Sequence, residues 1–253
     1  MKLTESERKE NREAFATMNL PQKLSYLFEY YKFPMVLILI VVTALGSILY
    51  YRITRKDPLL YVAFENIAMG DTMDTALNQG FIRSLGMNPA HTEVRLSRNL
   101  YLSQDASVQN HEYAYASQIK VMASMANSQL DVALMNREAY DIMSSGGYLL
   151  PLDTLLGQDA GLYERVARRL RENTVIIEDN NIEHLLDENV AYQARTEKSF
   201  NGILISEFPL FKRAGFAGEV YLGVIGNSTR TNAVLQYIDY LTKDIPDGAS
   251  EPT

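Results

Sequence analysis

The run from Pro34 to Tyr51, PMVLILIVVTALGSILYY, carries no charged side chain and few polar ones. An α-helix rises about 1.5 Å per residue, so these eighteen residues reach roughly 27 Å, close to the hydrocarbon thickness of a bilayer. We therefore predict that residues 34–51 form one transmembrane helix.

The residues that flank this run are typical of a membrane-spanning segment. Aromatic rings settle at headgroup level, and long cationic side chains extend from there to water. The flanking residues of these kinds are Tyr26, Phe28, Tyr30, Tyr31, Phe33, Tyr50 and Tyr51, with Lys32, Arg52, Arg55 and Lys56. The alternatives are a buried helix of a soluble domain and a cleaved signal peptide, but about thirty mostly polar residues precede the run and no small-residue cleavage pattern follows it. The chain has no cysteine and hence no lipobox, so we expect a permanent signal anchor.

Charge is unevenly divided along the chain. The 253 residues have a formal net charge of −7, whereas the first 56 contain nine basic and five acidic residues, a net charge of +4. The difference, −11, falls on the remainder. A domain this acidic is a poor partner for nucleic acid or anionic lipid, so we predict no nucleic-acid binding.

The distribution of basic residues also predicts the orientation in the membrane. Residues 1–33 contain six lysines and arginines and residues 52–56 contain three, which favours a cytoplasmic arm. Close to the predicted helix, however, only two basic residues precede it, Lys23 and Lys32, whereas three follow it within residues 52–56. This local count favours the opposite orientation. Long domains translocate largely regardless of charge, so we expect a single-pass cell-membrane protein with a cytoplasmic N-terminus and an extracytoplasmic C-terminal domain.

The predicted cytoplasmic arm, residues 1–33, changes character along its length. Residues 4–17 are mostly charged and helix-prone without an apolar stripe, which predicts a solvated helix. In residues 18–33 apolar side chains recur at helical spacing, at Leu24, Leu27, Phe28 and Tyr31. Two interpretations stay open for this amphipathic stretch: it lies in the membrane interface, or it docks on the transmembrane helices of a partner.

In residues 57–245, short β-type runs alternate with amphipathic helical patterns. The first predicted elements are strand Leu59–Phe64, a helix over 71–85 that Gly86 ends, strand Thr92–Leu96, a helix with Tyr115, Ile119, Met122 and Ala126 facing inward, strand Leu130–Met135, and a helix that Asn136 caps and that stops at Gly146 and Gly147. This order predicts an α/β domain whose mostly parallel sheet is covered by helices on both faces.

The second half of the domain contains fewer helical patterns. The predicted elements are a helix over Ala160–Arg171, strands Thr174–Ile177, Val190–Arg195 and Gly202–Ser206, a short helical turn at Ile182–Leu186, a last strand Glu219–Ile225, and a final helix with Val234, Tyr237, Ile238 and Leu241 facing inward. Residues 246–253, PDGASEPT, have the composition of a disordered tail.

Two passages in this order resemble a known family. QIKVMASMANSQLDVALMNREAYDIMSSGGYLLPLDTLL resembles the helix, strand, helix and turn of bacterial extracellular solute-binding proteins, the type II periplasmic-binding fold. FPLFKRAGFAGEVYLGVIGNSTRTNAVLQYIDYL resembles that family's return strand and closing helix. With LLYVAFEN these passages cover most of residues 58–244. The resemblance implies a periplasmic-binding-protein type II-like domain, with a ligand cleft between two lobes.

The chain departs from that family in two ways. Its second lobe has only about residues 157–215 to use, so we expect a small second lobe. Members of the family are usually lipoproteins or secreted, whereas this chain keeps an anchor and an arm. Both departures argue against free capture and delivery of a solute.

Any surviving cleft is expected beyond the C-terminal ends of the parallel strands. The candidate ligand-binding residues there are Glu65, Asn66, Asn136, Arg137, Ser206 and Phe208. Each has a structural alternative. Asn136 suits a helix cap, Arg137 a solvated first turn, Glu65 and Asn66 a turn, and Phe208 packing before Pro209.

No catalytic or metal-binding arrangement is found in the sequence. His91, His111 and His184 are scattered without paired spacing, which makes a zinc site improbable. No G-x-S-x-G, G-x-G-x-x-G or phosphate-loop motif occurs, and nothing singles out two carboxylates for acid/base work. We therefore predict no enzyme, no cofactor and no metal.

The leading hypothesis is a membrane-anchored extracytoplasmic accessory subunit of a bacterial ABC transporter, or of a similar membrane complex involved in transport. Its expected partners are the membrane and the permease and ATPase subunits. The alternative is a tethered receptor that binds a small-molecule solute in a cleft between the lobes.

Overall fold

The structure is a computed structural model that describes residues 19–105, 110–187, 189–216 and 218–243. The predicted charged helix over 4–17 and the predicted tail over 246–253 lie outside these residues. Contacts divide the chain into two units, the first ending at Arg55 and the second beginning at Lys56.

The first unit contains one long helix, α1 (Leu20–Thr54). It is longer than the predicted 34–51 and continues through Pro34, whose ring nitrogen has no hydrogen to donate to the helix ladder. Within it, Phe33–Arg52 has a mean hydropathy of 2.4, and by length and composition it is a candidate membrane anchor or signal sequence. The hydroxyl of Thr43 donates to the carbonyl of Leu39 at 2.8 Å, so this polar group is satisfied inside the helix, as an apolar environment requires.

The second unit is built from six strands and a larger number of helices. The strands are β1 (Asp57–Glu65), β2 (Thr92–Leu100), β3 (Val132–Met135), β4 (Leu170–Asp179), β5 (Ala194–Leu204) and β6 (Tyr221–Val224). The helices are α2 (Asp71–Thr75), α3 (Phe81–Ser84), α4 (His111–Ala126), α5 (Arg137–Ser145), α6 (Leu152–Leu156), α7 (Ala160–Val166), α8 (Asn181–Leu186), α9 (Pro209–Ala214) and α10 (Thr231–Thr242). A π-helical turn, Ala76–Gly80, joins α2 to α3, and a 3₁₀ turn, Ala167–Arg169, follows α7.

The six strands form one mixed sheet in the order β2-β1-β3-β6-β5-β4. β1 is parallel to both β2 and β3, as the alternation of strands and helices predicted. β6, β5 and β4 then add three antiparallel pairings, so the predicted parallel arrangement holds for the β2-β1-β3 part of the sheet. The β6 strand comes from the end of the chain and inserts between β3 and the β5–β4 pair.

Both faces of the sheet are buried at β1, β3 and β6, as the predicted helices on both faces require, whereas β4 and most of β5 are exposed or half-buried. One face carries Leu60, Val62 and Phe64 of β1 and packs in a core with residues of α2, α3, α6, α7, α9 and α10. The other face carries Ala63 and Ala133 and packs in a smaller core with residues of α4 and α5. Gly86, with φ of 71°, ends the helical segment from Asp71 as predicted, because glycine adopts this left-handed conformation without steric cost.

The predicted inward face of α4 is wrong. Tyr115, Ile119 and Met122 are 61%, 49% and 40% exposed. The residues of α4 that are buried are instead Ala114, Ser117, Val121 and Met125. The helix carries two neighbouring stripes at helical spacing, and the buried one begins with Ala114 and Ser117, which are smaller than Tyr115 and Ile119 of the exposed one.

The segment around β4 and β5 also differs from the predictions. The helix predicted over Ala160–Arg171 ends at Val166, and Leu170 already belongs to β4. One strand, β5 (Ala194–Leu204), takes the place of the strands predicted at Val190–Arg195 and Gly202–Ser206, and residues 190–193 and 205–206 lie outside it. Residues 196–201, which no predicted strand contained, are in β5 because the strand pairs with β4.

Residues 157–215, predicted as a small second lobe, contribute α7 and α9, which pack in the larger core, and β4, α8 and β5. β5 joins the sheet only through Ile203 and Leu204, which pair with β6. The rest of β5 pairs with β4, and α8 lies in the connection between them. We call residues 170–204 the ribbon. In the described part of the chain these residues extend the one sheet and form no second sheet.

Candidate functional site

The predicted candidate residues lie where strands end at one edge of the sheet. Strand pairing aligns Leu100, Glu65, Met135, Tyr221 and Leu204 in one row across five strands. β5 runs in the same direction as β1 and β3, because two antiparallel pairings separate it from β3. The segments that follow β1, β3 and β5 therefore begin at the same edge, as predicted.

The two candidate asparagines hold the backbone together. Asn66 has φ of 57°, and its side chain donates to the carbonyl of Leu102 and accepts from the Leu102 amide, both at 2.7 Å. Asn136 accepts a hydrogen bond from the amide of Ala139 at 2.9 Å and so caps α5. The structural alternatives given above, a turn and a helix cap, describe both residues.

Glu65 lies at the end of β1 with a fully buried side chain. Neither carboxyl oxygen has a hydrogen-bond partner among the described residues. Burial disfavours the charged form and raises the pKa of this carboxyl to about 8. Glu65 is therefore predominantly protonated at neutral pH, and it is a buried polar group rather than a charged ligand contact.

Arg137, the first residue of α5, keeps its guanidinium at the surface. Its Nε donates to Oδ2 of Asp141 at 3.0 Å, and its Nη1 lies 3.5 Å from the hydroxyl of Tyr221. Hydrogen bonds to Tyr221 and to Asp141 raise the pKa of this guanidinium above its ordinary value, so it stays cationic. Of the six candidates, Arg137 is the one whose charged group faces an open space.

Two tyrosines lie beneath Arg137 and were missed by the sequence analysis. The rings of Tyr140 and Tyr221 are stacked, with centroids 4.6 Å apart and planes inclined by 13°. The Arg137 guanidinium lies 5.7 Å from the Tyr221 ring and 6.0 Å from the Tyr140 ring. The Tyr221 hydroxyl donates to Glu219. Nothing in the spacing of a helix residue and a distant strand residue signals this pair.

An open groove begins at Arg137 and runs between α5 and the ribbon. Its first part has a volume of about 750 Å³ and includes Arg137, Asp141 and Asn173 in its lining. A second part of about 370 Å³ shares Ile142 with the first and reaches Ile177 of β4. Asn173 donates to Oδ1 of Asp141 at 2.8 Å across the groove. The lining offers one cation, carboxylates and amides, which suits a polar ligand.

Ser206 and Phe208 do not line this groove. The amide of Ser206 donates to the carbonyl of Val220 at 3.4 Å. Phe208 is buried in the larger core on the other face of the sheet, and the Arg169 guanidinium lies 5.2 Å from its ring. The structural alternative of packing before Pro209 therefore describes Phe208.

The histidines and carboxylates do not form a metal site in the described residues. His184 lies on α8, where its Nδ1 is 2.6 Å from the carbonyl oxygen of Val190. Within residues 19–105, 110–187, 189–216 and 218–243, no three histidine, aspartate or glutamate side chains lie together in a way that could hold a metal ion.

The chain matches no protein-family model, no curated protein and no solved structure with which it was compared. The resemblance to solute-binding proteins therefore stays a prediction, and a functional assignment depends on the residues and geometry described above.

Proposed function

We propose that this chain is a membrane-anchored extracytoplasmic accessory subunit of an ABC transporter or a similar membrane complex. One observation carries the proposal: within residues 157–215, which would have to close over a captured solute, the ribbon extends the single sheet while α7 and α9 pack in the larger core. A solute-binding domain without a second lobe to close is suited to docking on a partner protein.

The placement of the candidate residues supports the same conclusion. The amides of Asn66 and Asn136 are hydrogen-bonded to backbone groups. Phe208 is buried in the core, and Glu65 is buried and predominantly neutral. Of this set Asn136 and Arg137 line the groove, and the Arg137 guanidinium is already bonded to Asp141. The polar groups of Asn66, Asn136 and Arg137 are thus engaged in bonds within the domain.

The arrangement of strands supports a domain of the solute-binding type. The resemblance implies a return strand and a closing helix near the end of the chain. β6 lies next to β3, and α10 follows it with Val234, Tyr237, Ile238 and Leu241 buried as predicted. The candidate span Phe33–Arg52 supplies the proposed anchor.

Gentle extraction tests the accessory role. The tagged full-length protein is solubilised from its native membrane in mild detergent, and the copurifying proteins are quantified by mass spectrometry. We expect a permease and an ATPase in stoichiometric amounts, and their absence from a parallel purification of an unrelated tagged single-span protein. A chain that purifies alone would overturn the proposal.

Protease added to intact cells, after any outer envelope has been opened, tests the proposed orientation. We expect the domain from residue 57 onward to be digested and a tag on the N-terminal arm to be protected. Protection of the domain would place it in the cytoplasm and overturn the extracytoplasmic assignment.

A tethered receptor is the second candidate function, and the groove beside Arg137 favours it. Its lining of one guanidinium, carboxylates and amides suits a small polar solute. A panel of small polar solutes, both cationic and anionic, should then raise the thermal unfolding midpoint of the full-length protein. Arg137→Gln should abolish the shift, and Arg195→Gln, at an exposed ribbon position, should preserve it. A panel without any shift would reject the receptor.

A further inference from the structure

The short helix α8 at the end of the ribbon exposes its apolar side chains. Ile182, Leu185 and Leu186 are 74%, 73% and 83% exposed. Their spacing of three and four residues places them on one face of the helix. We call these three residues the apolar tip.

The remainder of the connection is held by hydrogen bonds. The Asn180 side chain donates to the carbonyl of Ala191 at 3.0 Å and accepts from the amide of Gln193 at 2.6 Å. Nδ1 of His184 lies 2.6 Å from the carbonyl oxygen of Val190. These bonds join both ends of the connection and tie α8 to the residues that lead into β5.

The orientation of α8 is therefore the reverse of an ordinary surface helix. Its polar residue His184 is bonded inward, while the apolar tip faces solvent. Burial of apolar side chains is the main favourable contribution to folding and association, so a helix normally turns that face toward the protein. An apolar face held outward by a bonded connection is suited to burial against another molecule.

The surroundings of the apolar tip are acidic. Residues 177–195 contain five acidic residues and one arginine. Glu183 lies within α8 and Asp187 directly after it, and both are exposed. The backbone and side chain of Asn189 donate to the Asp187 carboxylate and lower its pKa, so this group stays ionised.

This charge decides between the possible occupants. An anionic bilayer surface would be repelled by the acidic residues around the apolar tip. A second copy of the chain would present a domain that is itself strongly acidic, since the residues after the first 56 carry a net charge of −11. A protein with an apolar groove and a basic rim complements both features.

We propose that the apolar tip docks into an apolar groove on a partner protein whose rim carries lysine or arginine side chains. The inference rests on the proposed function in taking the partner to be a protein subunit of the membrane complex. It adds the surface that makes the contact and the chemistry of the surface that receives it.

Photo-crosslinking in intact cells tests the contact with the full-length protein. p-Benzoylphenylalanine replaces Leu186 in one sample and Tyr163 of α7, which is also exposed, in a control sample. We expect position 186 to give one discrete protein adduct whose crosslinked peptide combines apolar residues with lysine or arginine. Position 163 should give at least several-fold less of this adduct.

Charge and apolar variants are each combined with p-benzoylphenylalanine at position 186, and the yields of the adduct are compared. Glu183→Lys should lower the yield of the adduct several-fold, and so should Ile182→Ser combined with Leu185→Ser. Glu164→Lys makes the same charge change at an exposed position of α7 and should leave the yield unchanged. The thermal unfolding midpoint checks the fold, and we expect it to be unchanged because all these side chains are exposed.

Four results would overturn the inference: adducts with lipid, adducts with a second copy of this chain, equal yields at positions 186 and 163, or insensitivity to Glu183→Lys. Failure of the apolar tip is distinguishable from failure of the proposed function. Copurification of a permease and an ATPase without a specific adduct at position 186 would reject docking through the apolar tip and would leave the accessory role supported. A specific adduct on a protein outside any transporter would support the apolar tip and count against the accessory role.

Discussion

The hydroxyl of Tyr140 on α5 lies 2.8 Å from Oδ1 of Asn201 on β5, and both side chains are buried. Asn201 in turn donates to the hydroxyl of Ser144 at 2.8 Å, which donates to the carbonyl of Thr174 on β4. Gly202 leaves room for the tyrosine, since a Cβ at that position would lie 2.6 Å from the ring. This buried network holds the base of the ribbon against α5.

Tyr140→Phe is expected to lower the free energy of unfolding by about 1–3 kcal/mol, because it leaves the buried Asn201 oxygen without this donor. Thermal unfolding of the full-length protein in mild detergent, followed by circular dichroism, measures the change. Tyr163→Phe removes the hydroxyl of an exposed tyrosine and is the matched control. Equal unfolding midpoints for the two variants would contradict the importance of the bond.

Glu65 predicts a pH dependence of stability. Its pKa is about 8 in the folded domain against 4.5 when unperturbed, so the unfolded state gives up the proton first. The contribution of Glu65 to the free energy of unfolding is complete below pH 4.5, declines as the pH rises and is lost by about pH 8. At 1.36 kcal/mol per pKa unit the total is on the order of 5 kcal/mol.

Glu65→Gln isolates this contribution, because glutamine keeps the shape and cannot ionise. Relative to the unsubstituted protein, the variant should gain stability between pH 5 and pH 8, and the difference should then stay constant. Unfolding midpoints measured at several pH values give the result. Glu164→Gln, at an exposed position, should show no such trend. A constant difference between Glu65→Gln and the unsubstituted protein over the whole range would contradict the raised pKa.

Asn66 predicts a graded series of variants. Asn66→Ala removes both bonds to Leu102 and leaves a side chain in the left-handed region, so it should cost about 2–4 kcal/mol of unfolding free energy. Asn66→Gly removes the same bonds but tolerates φ of 57°, so it should cost about 1–2 kcal/mol. Denaturant unfolding distinguishes the two. Equal losses would show that the backbone conformation does not matter there.

The proposed anchor predicts a position-specific effect of charge. Val42 lies near the middle of Phe33–Arg52, where a lysine costs about 2.5–3.5 kcal/mol of insertion free energy. Val42→Lys should therefore reduce the fraction of protein that remains in the membrane pellet after alkaline extraction. Val42→Ile should leave that fraction unchanged, and equal retention of both variants would argue against a membrane-spanning role.

Elements specified by nearby residues were predicted from the sequence. The uncharged run over 34–51 indicated the helix that the structure extends to Leu20–Thr54. The β1 strand, the helical segment ended by Gly86, and the Asn136 cap follow rules of periodicity, capping and backbone conformation that act over a few residues. Such rules can be applied without knowing what lies on the other side of the chain.

The candidate site was predicted only in part. The segments after β1, β3 and β5 were expected to meet at one edge, and they do, because parallel strands share their direction. What Asn66, Asn136 and Phe208 bind there depends on partners such as Leu102, Ala139 and the larger core. The type of side chain did not distinguish ligand contacts from structural bonds.

The long apolar helix, the acidic character of the domain and the alternation of strands and helices around β1 and β3 could be predicted from the order of residues alone. The buried stripe of α4, the pairing of β4 with β5 as a ribbon and the stacking of Tyr140 on Tyr221 became known only from the fold. Periodicity and capping are local, whereas packing and strand register depend on residues far away in the chain.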